Sequence, residues 1–371
     1  MNDSSSPQEV HPQGGEYYHQ FSLQFEITGR CNLRCLHCYD ESEPHRDMSL
    51  SKVKTVIDKF LAFCWRWKRL PALWLTGGEP TLHPHFWEIL DYIQEHMPEG
   101  YVAILTNGVV VTEEFVKNLQ TYDMSTCVQI SIDGACAETH DAIRGTGSFD
   151  KATEALKLLA STPIETHIHY VVHKKNYHDA FKMTDVARIM GADVLTVSRL
   201  VPLGRGEALV DAMLSPEQIK ILYRKLSDDL DCILMQNPPK PYIARHRCDW
   251  PVIYSDSSSP EALAKNGHAC AAGQSYINVM ETGDVCACRR MPIRVGNIFE
   301  EDFMQIWQHP LLWKLRQKRL FVQGKCRDCF FSMNAPSICN GGASCIAYAV
   351  YNDPFQPDPQ CAVQPSSSGG E

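Results

Sequence analysis

The chain predicts an α/β fold, a parallel sheet with helices over its outer face, and three observations carry that prediction. Short apolar runs alternate with amphipathic stretches six times in about the first 230 residues. Polar and glycine-rich motifs follow the strand runs, at the carboxyl ends where ligands of such sheets bind. The 371 residues, 44% apolar and 21% charged, have ordinary globular composition and suffice for one large domain and a smaller one.

Strands are predicted at Phe21–Thr28, Ala72–Leu75, Tyr101–Leu105, Cys127–Ile132, Glu165–Val172 and Val194–Leu200. Their valines and isoleucines suit a sheet interior. Helices are predicted at Ser49–Trp65, Pro84–His96, Thr112–Asn118, Phe149–Leu159, Tyr177–Met190 and Pro216–Asp229. Right-handed crossovers do not by themselves separate an open sheet from a closed barrel. Six units fall short of the usual eight-stranded barrel, which leaves an incomplete barrel or a doubly wound sheet.

The expected organisation is a flexible start at 1–20, the βα repeats at 21–235, a proline- and serine-rich linker or lid at 236–266, a cysteine-rich module at 267–361 and a frayed tail at 362–371. The net charge is -9. The basic clusters, Arg66, Lys68 and Arg69, then Lys314, Arg316, Lys318 and Arg319, are short, so nucleic acid is not the expected partner. No apolar run is long enough for a membrane span, and residues 1–15 carry no signal-peptide pattern, so a soluble, cytoplasmic protein is expected.

Sixteen cysteines stand out, and their bunching points to metal rather than disulfides. Cys31, Cys35 and Cys38 form one group; Cys270, Cys286, Cys288, Cys326, Cys329, Cys339, Cys345 and Cys361 form another. Cys64, Cys127, Cys136, Cys232 and Cys248 lack ligand spacing and read mostly as small buried hydrophobes. Three thiolates with no obvious fourth leave a metal centre with an open position, as catalysis requires. The competing reading is zinc with His37 as fourth ligand, although adjacency to Cys38 places that ring poorly.

The stretch from Cys31 to Tyr39 resembles the CxxxCxxC signature of radical S-adenosylmethionine (SAM) enzymes. The resemblance implies a partial (β/α)6 TIM-like barrel, a [4Fe-4S] cluster on Cys31, Cys35 and Cys38, and SAM on its open iron, cleaved to a 5'-deoxyadenosyl radical. It further implies that Gly77, Gly78, Glu79 and Pro80, similar to the family's GGEP element, meet the SAM amino group. Asn107, Ser131 and Asp133 would contact its methionyl part or ribose, Arg144 its carboxylate, and Leu200 its adenine. Taken alone, each of these polar residues reads more readily as a cap or turn former.

The second group resembles the SPASM extension of the same enzymes, a small cysteine-rich module with few short strands and helices. That resemblance implies two auxiliary iron–sulfur clusters. Cys270, Cys288 and Cys345, with Cys286 as candidate fourth ligand, would hold the first, and Cys326, Cys329, Cys339 and Cys361 the second. A zinc knuckle on Cys326 and Cys329 is the competing reading.

SPASM relatives mostly mature peptides, which implies a peptide or protein substrate, oxidative cross-link or thioether formation, and an electron donor such as flavodoxin or ferredoxin. A separate leader-binding protein, or strand addition to a sheet edge, would supply leader recognition. Arg289 after Cys288, where sulfatase-maturing members usually carry aspartate, weakens a formylglycine reading. Small metabolites or haem precursors are the alternative substrates, and a non-catalytic metal scaffold is the alternative class. Asp249, His246 and His268 are candidate bases by location only.

Overall fold

The first strand shows how the sequence builds the molecule. In β1 (His19–Thr28), Phe21, Leu23, Phe25 and Ile27 are buried against helices, while Gln24, Glu26 and Thr28 alternate onto the opposite face. That second face is buried and polar, so the sheet is curved around an interior that holds chemistry. The structure, a computed structural model, describes residues 19–40, 46–234, 242–245, 270–334 and 339–363.

The units continue as α1 (Leu50–Arg66), β2 (Arg69–Gly77), α2 (Phe86–His96), β3 (Tyr101–Thr106), α3 (Glu113–Leu119), β4 (Ser125–Ser131), α4 (Ala137–Arg144), α5 (Ser148–Ala160) and β5 (Glu165–Val172). They end with α6 (Tyr177–Ala180), α7 (Met183–Met190), β6 (Val194–Arg199), α8 (Pro216–Leu234) and β7 (Tyr242–Arg245). Helix α1 illustrates their packing: Val53, Val56, Ile57, Phe60, Leu61 and Cys64 form one apolar stripe toward the sheet. Burying each such side chain contributes about 1.5–3 kcal/mol.

Strands β1 to β7 lie side by side in chain order, each parallel to the next. A doubly wound sheet needs a reversal of strand order, and there is none. The fold is therefore the partial barrel. The stretch 236–266, expected to be linker or lid, contributes β7, which pairs with β6 and extends the barrel by one strand. Apart from β7, that stretch lies outside the described residues, as do Asp249, His246, His268 and Cys248.

The other expected elements differ mainly at their ends. Two departures are larger. Helix α4 was not anticipated, because its eight residues are mostly polar and only His140, Ile143 and Arg144 are buried. The single helix expected at Tyr177–Met190 is two, broken where the buried Asp179 carboxylate accepts from Ala135 N (3.0 Å) and Lys182 Nζ (3.0 Å).

Strands β8 (Tyr276–Val279), β9 (Asp284–Cys288) and β10 (Met291–Asn297) belong to the cysteine-rich part, yet they join the same sheet. Strand β8 pairs in parallel with β1, and β9 and β10 follow as antiparallel neighbours. Helices α9 (Phe303–Trp307), α10 (Pro310–Arg316), α11 (Phe330–Asn334) and α12 (Ser344–Tyr351) complete the smaller part. Phe63 of α1 meets Phe303 with ring centroids 4.5 Å apart, and Lys59 Nζ donates to Ile298 O (2.6 Å), so α1 and α9 share one core.

Candidate active site

The chain leaves β1 at Thr28 and turns at once. Arg30 N donates to Thr28 Oγ1 (3.0 Å), and the Arg30 guanidinium reaches Asp47 and Leu82 O. Gly78 N and Glu79 N donate to Thr28 O and Arg30 O, which clips the end of β2 to this turn. Leu36 N donates to Ile143 O, Arg205 Nε to Cys35 O and Gly206 N to Cys38 O, so the loop is held from two further segments.

Cys31, Cys35 and Cys38 thereby line a single cavity of about 630 Å³ inside the barrel. Burial pushes the Cys31 thiol up to about 11 and raises that of Cys35, and neighbouring thiols add to both shifts. Three neighbouring thiolates, one buried and two half-buried, would repel one another, and a cationic, thiophilic metal centre removes that penalty. The donor set thus fits an iron–sulfur cluster. His37 Nε2 is engaged with Asp133 Oδ2 at 2.6 Å.

The residues of the GGEP stretch support this loop. A Cβ on Gly77 would strike the carbonyl of Thr28, and one on Gly78 that of Arg30. The approach that demands glycine is therefore that of the cysteine loop's own backbone. Glu79 is buried and accepts from Thr106 Oγ1 (2.7 Å), Thr81 Oγ1 (2.6 Å) and Asn107 N (2.7 Å), locking β2 to β3. Burial raises its pKa against those bonds. Pro80 opens the short turn Pro80–Leu82, and Asn107 Nδ2 donates to Asn32 Oδ1 (2.7 Å).

Asp133 is fully buried and organises the next layer. Its Oδ2 meets both His37 Nε2 and Arg144 Nε at 2.6 Å, and its Oδ1 accepts from Val171 N (2.8 Å). Burial opposes ionisation, but Arg144 and His37 outweigh it and hold the carboxyl well below the usual range. Arg144 NH1 also points at Cys35 Sγ (3.7 Å). Arg144 thus joins Asp133 to the cysteine loop and lines the cavity, as do Gly77, Gly78, Glu79, Asn107, Ser131 and Leu200.

The structure sorts the eight later cysteines. Burial raises the Cys288 thiol, with Cys345 and Cys270 adding to the shift; Cys345, at about 11, is raised by burial and by Cys270. Cys326 stands at about 11 and Cys361 at about 12, both raised by burial, with Cys339 pressing on each and Cys329 on Cys326. Lys318, one of the short basic cluster in the sequence, is buried here and donates to Gly341 O and Gly342 O. Cys286 lies two residues before Cys288 on β9. Its Sγ takes Asn278 Nδ2 (3.5 Å) and donates to Cys288 O (3.4 Å), with Glu26 and Arg289 as its charged neighbours. Of the five remaining cysteines, Cys64 and Cys127 are buried and Cys136 is exposed.

Sequence reasoning missed most of the chamber's other polar walls. His169 Nε2 lies 3.0 Å from Ser198 Oγ, which also accepts from Arg290 NH2 (3.4 Å). Burial, helped by Arg290, pushes His169 down to about 3, so it is neutral at working pH. The Tyr276 hydroxyl donates to Gln24 across the β1–β8 seam. Behind that seam, buried Arg289 pairs with Glu26 and with Asp40 Oδ2 (2.7 Å) and lies over the Tyr39 ring. The signal for these residues was alternation: positions 24 and 26, or 167 and 169, are polar residues every second place in otherwise apolar strands.

Fold and site define a redox metalloenzyme, a partial barrel whose open mouth carries a three-thiolate centre. The radical SAM superfamily matches residues 25–187, the iron-sulfur cluster-binding domain SPASM matches residues 270–330, and the chain belongs to the SPASM-bearing radical SAM enzymes. It is similar to the mycofactocin maturase MftC of Mycolicibacterium smegmatis, at 32% identity over 91% of this chain and 82% of the relative. It is also similar to the AdoMet-dependent heme synthase of Methanosarcina barkeri, at 28% identity over 92% of this chain and 96% of the relative. Among solved structures, Streptococcus suis SuiB bound to precursor peptide SuiA has the same fold, with a TM-score of 0.71 at 18% identity over 93% of this chain and 76% of that one.

Proposed function

We propose that this enzyme abstracts a hydrogen atom from a peptide and completes an oxidative modification, a cross-link or thioether. The observation that carries the reading is one chamber lined by Cys31, Cys35 and Cys38 on one side and by Cys270 and Cys288 on the other. A substrate held between them can lose a hydrogen atom toward one centre and an electron toward the other. The maturase among the relatives supports a peptide, and the fold is one that, in SuiB, is seen with a precursor peptide.

In this reading Cys31, Cys35 and Cys38 hold a [4Fe-4S] cluster, and the walls formed by Gly77, Gly78, Glu79, Asn107, Ser131, Arg144 and Leu200 surround SAM, with Pro80 and the buried Asp133 supporting them from behind. Bound there, the pair supplies a 5'-deoxyadenosyl radical. Cys270, Cys288 and Cys345 hold a first auxiliary cluster, with Cys286, two residues before Cys288 on β9, as the candidate fourth ligand. Cys326, Cys329, Cys339 and Cys361 hold a second. Arg290, Ser198 and neutral His169 orient the substrate by hydrogen bonds, and the closed wall of buried side chains limits water near the reacting carbon. A flavodoxin- or ferredoxin-like donor supplies electrons, and β10, at the end of the described sheet, offers a strand-addition edge to a leader or a leader-binding protein.

The resemblance to a heme synthase over almost its whole length supports a second reading, a small metabolite or haem precursor as substrate. Fixed polar groups such as Tyr276 and Arg290 inside the chamber suit it as well. The deciding experiment incubates anaerobically reconstituted protein with SAM, reductant and candidate peptides, and weighs the peptides by mass spectrometry. Loss of two hydrogens supports peptide oxidation; SAM cleavage that leaves every peptide unchanged moves the reading to a metabolite. Cys31→Ala is expected to abolish 5'-deoxyadenosine formation, whereas Cys326→Ala retains part of it. Equal cleavage by both variants would overturn the cluster roles.

A further inference from the structure

At the amino-terminal ends of the strands, opposite to the cysteine loop, a second set of donors converges. We propose that Cys127, Glu165 and His167 form a binding site for a zinc-class divalent cation at the floor of the barrel.

The register creates the cluster. Cys127 of β4 lies opposite Glu165 of β5, and His167 follows two residues later on the same face. One donor atom from each of the three lies within 4.8 Å of the others. His167 Nδ1 is 3.9 Å from Cys127 Sγ, and Nε2 bonds the Glu165 carboxylate. The Tyr101 hydroxyl of β3 reaches both Cys127 and Glu165.

The chemistry of the set selects the ion. A thiolate, an imidazole and a carboxylate are the ligand types of zinc, and Tyr101 or a water completes four-coordination. One thiol is too few for an iron–sulfur cluster. Burial grades from Cys127, 1% exposed, through His167, whose side chain is 14% exposed, to the Glu165 side chain at 47%. The ion therefore enters past Glu165, which is free to turn its carboxylate from Nε2 to the metal. Binding releases the thiol proton and the proton His167 shares with its neighbours, so a dication replaces two protons.

The site is separate from the centres already described. Cys127 precedes Ser131 by four residues of extended chain, about 13 Å along β4. His167 nevertheless lines the same cavity, so an ion here pins β3, β4 and β5 together and seals the lower end of the chamber against water.

The test uses iron-reconstituted full-length protein, incubated with zinc and desalted over a weak chelator. Elemental analysis is expected to find about one zinc per chain with iron undiminished. Zinc K-edge absorption, which does not see iron, should show one sulfur at about 2.3 Å and nitrogen or oxygen at about 2.0 Å. Cys127→Ser should remove the sulfur shell, and Glu165→Gln, at the half-exposed rim, should lower zinc affinity about tenfold or more. No retained zinc would overturn the site. So would a shell of three or four sulfurs, which places the ion among the other cysteines, or binding unchanged in both variants.

Discussion

A single carboxylate, Asp133, holds the underside of the cysteine loop by taking both His37 and Arg144. Asp133→Asn leaves the Arg144 charge buried without its partner, and breaking such a pair costs about 3–5 kcal/mol. A urea midpoint unchanged by that substitution would show that Arg144 finds compensation elsewhere. Glu26 carries a second prediction. Burial outweighs the attraction of Arg289 and raises Glu26 from 4.5 to about 7. The folded state then holds this proton more tightly than the unfolded chain, so the contribution is complete below about pH 4.5 and is lost as pH rises through about 7. Relative to Glu26→Gln, the wild-type protein should lose stability across that window and run parallel to the variant above it. Parallel behaviour throughout would mean that Glu26 stays ionised beside Arg289. Neither role is legible in the sequence: the family resemblance assigns Asp133 to SAM, and Arg289 stands out only as a departure from a family pattern.

Elements fix where such residues go. Period-two alternation in β1 and β5 sends one set of side chains to the helices and the other into the chamber, and this was readable before any coordinates. What alternation leaves open is which polar side chains meet across strands, because that depends on register and curvature. The end of β2 lies against the cysteine loop, where Gly77 and Gly78 leave no room for a Cβ. Gly78→Ala drives a methyl against Arg30 O, and such overpacking costs about 1–3 kcal/mol. The same variant is expected to lose about four irons per chain while keeping the auxiliary irons. Full iron retention on elemental analysis would show that the loop tolerates displacement. Helix α4, unseen in the sequence because it is short and polar, places Arg144 under Cys35.

Among the described residues all ten strands belong to one sheet, which carries both cysteine-rich regions. Strand β8 adds to β1, and farther along the chain Arg199 at the end of β6 pairs with buried Asp358 (2.7 Å), which also accepts from Ala343 N (3.1 Å). Asp358→Asn should therefore destabilise the protein by about 3–5 kcal/mol, whereas replacing both partners by apolar residues of similar size should restore most of it. Denaturation midpoints of the single and double variants decide this; equal losses in both would mean that the pair acts only through packing. Among the described residues no helix is long and apolar enough to cross a membrane.

By itself the sequence determined the βα order, the three-cysteine loop and the cysteine-rich module, because periodicity and ligand spacing are local properties of the chain. Only tertiary structure decided that β7 extends the barrel, that β8 continues the same sheet, and that Asp133 holds both His37 and Arg144. It also decided that Cys127, Glu165 and His167 meet. These outcomes depend on strand register, burial and the packing of distant segments, which no window of neighbouring residues encodes.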